Sequence, residues 1–350
     1  MLVKESKELQ EYTTNFVDFQ WQERDFVKEV RDYIHCELEK VLLVNGLRGT
    51  GKTVGLLQAI HGLDAIYITA EKNEEASWEE YLQLLKTVSN EIIVIDEYSW
   101  IQKREQLDGF LFTLVQHGKR VIITGTDSVH LNFLKYGNLI HRVMTLHVTY
   151  FSYLEYLKVF QLADDKETCE EYLREGGLFK EYLITSKQTM DQYLKTAVFN
   201  PIVSYFDGRF QEVDIRNIVY TVLYKAVCNS TQNVVPLLKR NQVSLQDFLA
   251  DFGVNPSIPI RNSIFEEITD ILERIGLIVI IRNYVDKQLF RTYLTNPSLC
   301  YQLIKCVYDL QVVPPTLLGS VYEATCVSYA FYNTFGDHVL YYATNHDDGK

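Results

Sequence analysis

Gly46-Leu47-Arg48-Gly49-Thr50-Gly51-Lys52-Thr53 constrains this chain more than any other stretch, because G-x-x-x-x-G-K-[ST] sets both a backbone path and a ligand chemistry. Lys40-Val41-Leu42-Leu43-Val44 precedes it as a buried strand, and Val54-Gly55-Leu56-Leu57-Gln58-Ala59-Ile60 follows it as a helix. The glycines let the backbone curl so that successive N–H groups point inward and form an anion nest. The helix N-terminus adds roughly half a positive charge at the same place. Residues 46–53, with Val54 inside the helix, are therefore the expected phosphate-binding set. Lys52 is expected to reach the β- and γ-phosphates, and the Thr53 hydroxyl to hold Mg²⁺. The pattern predicts a nucleoside triphosphate site.

Beyond the loop, strands and helices alternate. Residues 64–69 read as a strand, 76–88 as a helix, 91–97 as a strand, 105–117 as a helix and 121–126 as a strand. Such alternation predicts an α/β domain with a mainly parallel sheet. In Glu91-Ile92-Ile93-Val94-Ile95-Asp96-Glu97 four apolar residues end in two carboxylates, as in a buried parallel strand whose carboxyl end faces a ligand. Asp96 is the expected partner of Thr53 and Mg²⁺. Glu97 is the expected base that orients a water for in-line attack. The alternative for both is capping of the following helix. Thr124 and Thr126, with Asp127 and Ser128, end the next strand on the same expected rim. They read either as sensors of the γ-phosphate or as an ordinary turn.

Composition narrows the classes. Six scattered cysteines without C-x-x-C spacing read as reduced core residues and predict a cytoplasmic address. Eight dispersed histidines suggest no zinc site. A formal charge of −12 disfavours broad nucleic-acid binding, which needs Lys and Arg against phosphate. The longest apolar runs are too short to span a bilayer, and the N-terminus lacks the apolar core of a signal peptide.

With these motifs in hand, the chain resembles prokaryotic AAA+-type P-loop ATPases of the ASCE class, in a group with a long C-terminal extension. That group pairs a G-x-R-x-x-G-K-T loop with a strand ending in Asp-Glu, here 46–53 and Asp96-Glu97. Thr124-Gly125-Thr126 is similar to its Thr-Gly-Ser. His141-Arg142-Val143 followed by Phe151-Ser152-Tyr153-Leu154-Glu155-Tyr156 is similar to its Gly-Arg-Val and Leu-Ser-Phe-x-Glu-Phe segments. Tyr172 to Phe179 resembles its Gly-Gly-Phe/Leu-Pro segment, with Phe179 where the proline falls. The resemblance implies ATP hydrolysis, with Lys52, Thr53 and Asp96 binding MgATP and Glu97 as base. It makes Arg142 either a cation for the transition state or a surface-pairing residue. Trp21-Gln22-Glu23-Arg24-Asp25-Phe26 resembles a Gly-Arg-Glu segment of related ATPases and is expected near the adenine.

The expected organisation is a helical lead-in (1–39), the ATPase core (40–150), a helical lid (151–235), a winged helix (236–297) and the start of a truncated nuclease-like domain (298–350). In the winged-helix stretch, Ser244 and Ser263 open helices with capping-box signatures. Gly276 stops the second helix, and 277–282 with 289–294 read as a hairpin. The second helix carries Arg274 against Glu266, Glu267, Asp270 and Glu273, so a packing role is favoured over DNA contact. By the resemblance, Glu323 would be the first acidic position of the nuclease-like motif, and the sequence given stops before the later ones, as expected of a fragment or of a form that keeps only the ATPase module. Three functions follow: an ATP hydrolase coupled to conformational change, an ATP-gated switch or scaffold with little turnover, and a DNA-binding regulator. Expected partners are ATP and ADP, with a protein partner or self-association possible and no membrane.

Overall fold

The computed structural model describes residues 2–17, 22–70, 77–101, 103–125, 129, 139, 141–179, 183–206, 208–231, 243–254, 262–286, 289–333 and 340–342. Two compact units emerge, residues 1–149 with 157–162, and 150–156 with 163–350.

The first unit is built on β1 (Leu2–Glu5), α1 (Ser6–Phe16), α2 (Asp25–His35), β2 (Val41–Asn45), α3 (Lys52–Ile60), β3 (Ala65–Thr69), α4 (Trp78–Thr87), β4 (Ile92–Asp96), α5 (Glu105–Gln116), β5 (Arg120–Thr124) and β6 (Val143–His147). The sheet order is β1-β3-β4-β5-β2-β6, and every pairing except β1 with β3 is parallel. The runs in β2 and β4 are continuous rather than alternating because both faces of the sheet are covered. On one face Val41, Leu43, Ile93, Ile95, Val121 and Ile123 meet Tyr81, Leu85, Leu107 and Leu111 from α4 and α5. On the other, Leu42, Val44, Tyr67, Val94 and Ile122 meet Leu9, Val27, Val30, Leu56, Leu57 and Ile60 from α1, α2 and α3. This is a three-layer α/β fold of the P-loop type with a mostly parallel sheet, as the sequence predicts.

Two strands go beyond the sequence reading. The 1–39 segment was expected to be helical, yet β1 pairs antiparallel with β3 from Leu2↔Thr69 to Glu5↔Ile66. Four residues, three half-exposed and Glu5 exposed, give too short an alternation to read as a strand; an available sheet edge recruits them. β6 is half-exposed for the same positional reason. The strand expected over 121–126 ends at Thr124, and residues 126–128 lie outside the described residues.

The second unit is mainly helical. It contains α6 (Tyr153–Phe160) in part, α7 (Lys166–Glu175), α8 (Lys187–Leu194), α9 (Asn200–Phe206), α10 (Glu212–Thr231), α11 (Leu245–Asp251), α12 (Asn262–Arg274), β7 (Ile278–Asn283), β8 (Phe290–Leu294), α13 (Pro297–Val307), α14 (Pro315–Asn333) and β9 (Tyr341–Tyr342). Ile215, Ile218, Val219, Val222, Leu223 and Val227 of α10 are buried, the pattern of a helix surrounded by others. It packs against α11, α12, α13, α14 and β8. Ser244 caps α11 by accepting from the Asp247 N–H. Gly276, at φ +80, ends α12 as the Leu277 N–H reaches the Leu272 carbonyl at 3.0 Å. β7 and β8 form an antiparallel hairpin from Ile278↔Leu294 to Arg282↔Phe290. β9 adds in parallel beside β7.

The Gly176-Gly177 segment, singled out in the sequence, has a steric basis in this unit. Gly177 sits at φ +94, and a Cβ there would lie 2.7 Å from Asn296 Nδ2 and 3.0 Å from Pro297 Cδ. Its carbonyl accepts from the Phe151 N–H at 3.1 Å, and the Phe179 ring stands edge-on to Phe151 with centroids 4.9 Å apart. Phe179 thus ends this segment in an aromatic contact. Gly177→Ala is expected to destabilise this unit by about 3 kcal/mol, combining the left-handed penalty with displacement of the α13 cap. A denaturant titration of the full chain checks this, and an unchanged midpoint refutes it.

Candidate functional site

The site forms where the carboxyl ends of the parallel strands meet the start of α3. At the end of β2 the chain must turn beside β6, since the Val148 N–H donates to the Asn45 carbonyl at 2.7 Å. A Cβ on Gly46 would lie 2.1 Å from the Val148 carbonyl oxygen, so no side chain fits there. Gly49 and Gly51 take φ +80 and +81, conformations that glycine adopts without a Cβ penalty. The loop between them is held from inside: the Thr50 hydroxyl donates to the Leu47 carbonyl at 2.8 Å. Leu47 is buried, Arg48 and Val54 are half-buried, and Val54 packs against the α3 side of the core.

Lys52 is only 6% exposed. Its ammonium donates to the Gly46 carbonyl at 2.7 Å and the Leu47 carbonyl at 2.9 Å. Burial pulls its pKa down to about 8, against the opposing pull of the Glu97 and Asp96 charges. The cation is thus held in a desolvated loop within the field of both carboxylates.

Asp96 makes the link across the sheet. Its Oδ2 accepts the Thr53 hydroxyl at 2.7 Å and the Tyr67 hydroxyl at 2.8 Å. Its Oδ1 accepts the Glu97 N–H at 2.8 Å. The carboxylate therefore joins α3 to β4, and helix capping does not describe it. Glu97 sits at φ 54, ψ 33 and makes no side-chain capping bond to the turn that follows. A non-glycine residue in this region costs about 1–2 kcal/mol, and such strain concentrates at functional sites.

Thr124 closes the rim at the end of β5, on the α3 side of the sheet. Its Oγ1 is buried and, like Asn45 Nδ2, has no hydrogen-bond partner among the described residues. The oxygen donors of Thr53 and Asp96 beside a buried lysine and a helix N-terminus fit a hard divalent cation with phosphate. The two orphaned polar atoms are further hydrogen-bonding capacity at the same rim. Thr126 lies outside the described residues.

Arg142 is not brought to this site. Its carbonyl accepts from the Val41 N–H at 2.9 Å, and β6 runs parallel to β2 from Val41↔Val143 to Asn45↔His147. Arg142 therefore stands at the amino ends of these strands, about 16 Å along the sheet from the loop at ~3.3 Å per residue. Its guanidinium lies over the Phe112 ring, 4.3 Å from the centroid. Strand direction therefore places Arg142 away from the loop of its own chain.

Two residues carry more than the sequence suggested. Arg24, 5% exposed, donates to the Thr50 carbonyl and, at 3.0 Å, to the Thr149 carbonyl. It binds the phosphate loop itself, and Trp21 of the same motif lies outside the described residues. Tyr67 is 1% exposed; burial, and then the Asp96 charge, push its ionisation well above the ordinary phenol range. It stays a neutral donor. Only its place within an apolar strand was visible, and a tyrosine there reads as core.

In the second unit, Arg274 Nε pairs with Asp270 at 2.8 Å on α12, so the one cation of that acidic face is engaged. Glu323 accepts from the Tyr293 hydroxyl at 3.0 Å and lies 3.7 Å from Arg291. Among the described residues no cluster of three or more His, Cys, Asp or Glu could hold a metal ion, and no helix is long and apolar enough to cross a membrane.

Comparison with known proteins agrees with this geometry. Residues 38–157 match the family described as "AAA domain", a stretch that takes in every strand from β2 to β6. That stretch is therefore similar to an AAA domain, and its fold is of the P-loop type. No curated protein matches the chain. Among solved structures, a Walker-type ATPase of Pyrococcus abyssi is similar with a TM-score of 0.47 and 14% identity, covering 82% of this chain and 99% of that one. The Aeropyrum pernix ORC1 protein, solved in complex with DNA, gives 0.28 and 11%, covering 87% and 94%. A signal-transduction ATPase of Pyrococcus horikoshii with a tetratricopeptide repeat sensor gives 0.31 and 14%, covering 88% and 45%.

The buried Lys52 generates a pH prediction. A lysine whose folded pKa lies near 8 and whose unfolded value is the ordinary 10.5 binds fewer protons folded than unfolded between those values. Its charge therefore costs stability below pH 8, and that cost is relieved as pH rises towards 10.5. Relative to Lys52→Met, the wild-type chain is expected to gain on the order of 3 kcal/mol at most between pH 8 and 10.5. Parallel unfolding curves for the two proteins across that window refute it.

Proposed function

We propose that this chain binds MgATP at the 46–53 loop and hydrolyses it by in-line attack of water on the γ-phosphate. The observation that carries the reading is the 2.7 Å contact between Thr53 and Asp96, which joins the phosphate loop's helix to the end of β4. Thr53 and Asp96 are the residues to hold Mg²⁺, which when bound supplies charge neutralisation across the phosphate oxygens. The loop amides and Lys52 bind the phosphates, the lysine leaving its two carbonyl partners for stronger anionic ones. Glu97 orients the attacking water and accepts its proton. Thr124 supplies a hydrogen bond at the γ-phosphate end. The turnover drives a conformational change in the chain, with the helices from α6 to α10 as the lid and α11 to β8 as a winged helix used for packing. The acidic face of α12 supports packing over DNA contact, because like charge opposes phosphate.

Arg142 acts, if it acts in hydrolysis, on the nucleotide of a second copy of the chain. Its position at the amino ends of β2 and β6, opposite the loop, supports that reading over one in which it serves its own site. Mixing Lys52→Ala with Arg142→Ala chains checks this: recovered turnover supports exchange between copies, and two inactive partners that stay inactive when mixed refute it.

The test of the main reading is nucleotide binding and phosphate release by wild type, Lys52→Ala and Glu97→Gln. Lys52→Ala is expected to lose ATP affinity by at least about a hundredfold, as a buried charged contact disappears. Glu97→Gln is expected to keep affinity and lose turnover by about 10²–10⁴-fold. Tight binding without turnover in wild type refutes hydrolysis by the isolated chain and favours the ATP-gated switch. Undiminished affinity in Lys52→Ala refutes the phosphate site.

A further inference from the structure

Resting on the MgATP reading above, we propose that Tyr67 is a positioning residue for the metal-binding edge, fixing the Asp96 carboxylate so that its Oδ2 holds the Thr53 proton. Tyr67 and Asp96 come from neighbouring parallel strands in the register Tyr67↔Val94 and Thr69↔Asp96. Side chains two apart share a face of a strand, so Tyr67 lies one pleat behind Asp96 on the same side of the sheet. The phenol bridges that step, and its hydroxyl arrives 2.8 Å from Oδ2.

The geometry around the carboxylate leaves little freedom. An ionised carboxylate has about four acceptor positions, two on each oxygen. Thr53 and Tyr67 both donate to Oδ2, at 2.7 and 2.8 Å, while the Glu97 N–H donates to Oδ1 at 2.8 Å. Donors on both oxygens fix the plane of the group. Thr53 has one hydroxyl proton, and giving it to Asp96 leaves the threonine oxygen's lone pairs facing away from the carboxylate. That orientation makes the hydroxyl a ligand for a cation rather than a donor to it. Oδ1 retains acceptor capacity for a metal-bound water. Without the Tyr67 donor, one bond alone would hold Oδ2, and the carboxylate could turn away from Thr53.

Tyr67 is itself held firmly. It is buried in the α3-side core, and the Tyr12 ring of α1 stacks on it with centroids 5.8 Å apart at 29°. The β1–α1 segment therefore supports the site through a ring, although it lies far from the phosphate loop in sequence.

Tyr67→Phe removes the hydroxyl and keeps the ring. The experiment is an equilibrium titration of Mg²⁺ against binding of a fluorescent ATP analogue to the full chain, beside the same binding in excess chelator. The half-saturating Mg²⁺ concentration is expected to rise about tenfold, the scale of one hydrogen bond to a charged group. Metal-free affinity is expected to stay unchanged, since Lys52 and the loop amides are untouched. On an Asp96→Asn background, Tyr67→Phe is expected to add nothing further. An unchanged Mg²⁺ midpoint overturns the inference, and so does an equal loss with and without Mg²⁺, the mark of a merely structural tyrosine. An additive loss on the Asp96→Asn background overturns it as well. Wild-type chain that binds no nucleotide with or without Mg²⁺ overturns the MgATP reading itself, and the wild-type titration separates that failure from the others.

Discussion

The hydrogen bond from Thr53 to Asp96 is the constraint on which the site depends, because it joins elements that the sheet holds apart. β2, which delivers the phosphate loop, and β4, which ends in Asp96, are not neighbours: β5 lies between them. The contact must therefore pass over the end of β5, where Thr124 is buried on the same side. Helix α3 makes this possible by starting at the loop and lying across that face. The strand order thus converts three separate strand ends into one rim. Ligands in open α/β sheets bind at such carboxyl ends.

The rim is held in a form that would be unfavourable without a role. Lys52 is desolvated, Glu97 is left-handed, and Asn45 Nδ2 and Thr124 Oγ1 lack hydrogen-bond partners among the described residues. Each feature costs free energy that the surrounding packing must offset. The packing is well suited to that task, since the central strands carry large apolar side chains on both faces. On the proposed reading, a phosphate group would answer the desolvated cation and a divalent ion the oxygen ligands. The same rigidity that tolerates the strain keeps the donors aimed where charge is to be bound, the arrangement that electrostatic preorganisation requires.

The motif residues and their strand–loop–helix context were legible because they are local. Gly46, Gly49 and Gly51 are required by backbone geometry within a few residues, and the apolar run of β4 announces a strand buried on both faces. What escaped the sequence depends on pairing between distant segments. β1 is a strand only because β3 offers an edge, and Tyr67 meets Asp96 only through the register of two strands. Arg142 shows the same limit from the other side. Its place at one end of β6 decides which rim it faces, and only the parallel pairing with β2 reveals that. The Gly177 constraint likewise lies in a contact with Asn296 and Pro297, more than a hundred residues away.

Arg24 shows how far the loop's shape is set from outside the loop. The glycines permit the curl, but permissive residues also enlarge the unfolded ensemble, so they define a path only when something else selects it. The Arg24 guanidinium does so by gathering the carbonyls of Thr50 and Thr149, one from the loop and one from the chain leaving β6. Farther along the same segment, Arg31 holds Glu23 with two bonds of 2.5 and 2.6 Å and donates to the Gln58 carbonyl at 3.1 Å. The two arginines thus reach both ends of α3. Between them Phe26 packs where a Cβ on Gly55 would lie, 2.2 Å from its ring, which brings α2 and α3 together without a side chain between. The phosphate loop owes its conformation to this clamp as much as to its own glycines, so a site whose ligands are local in sequence is stabilised by contacts that are not.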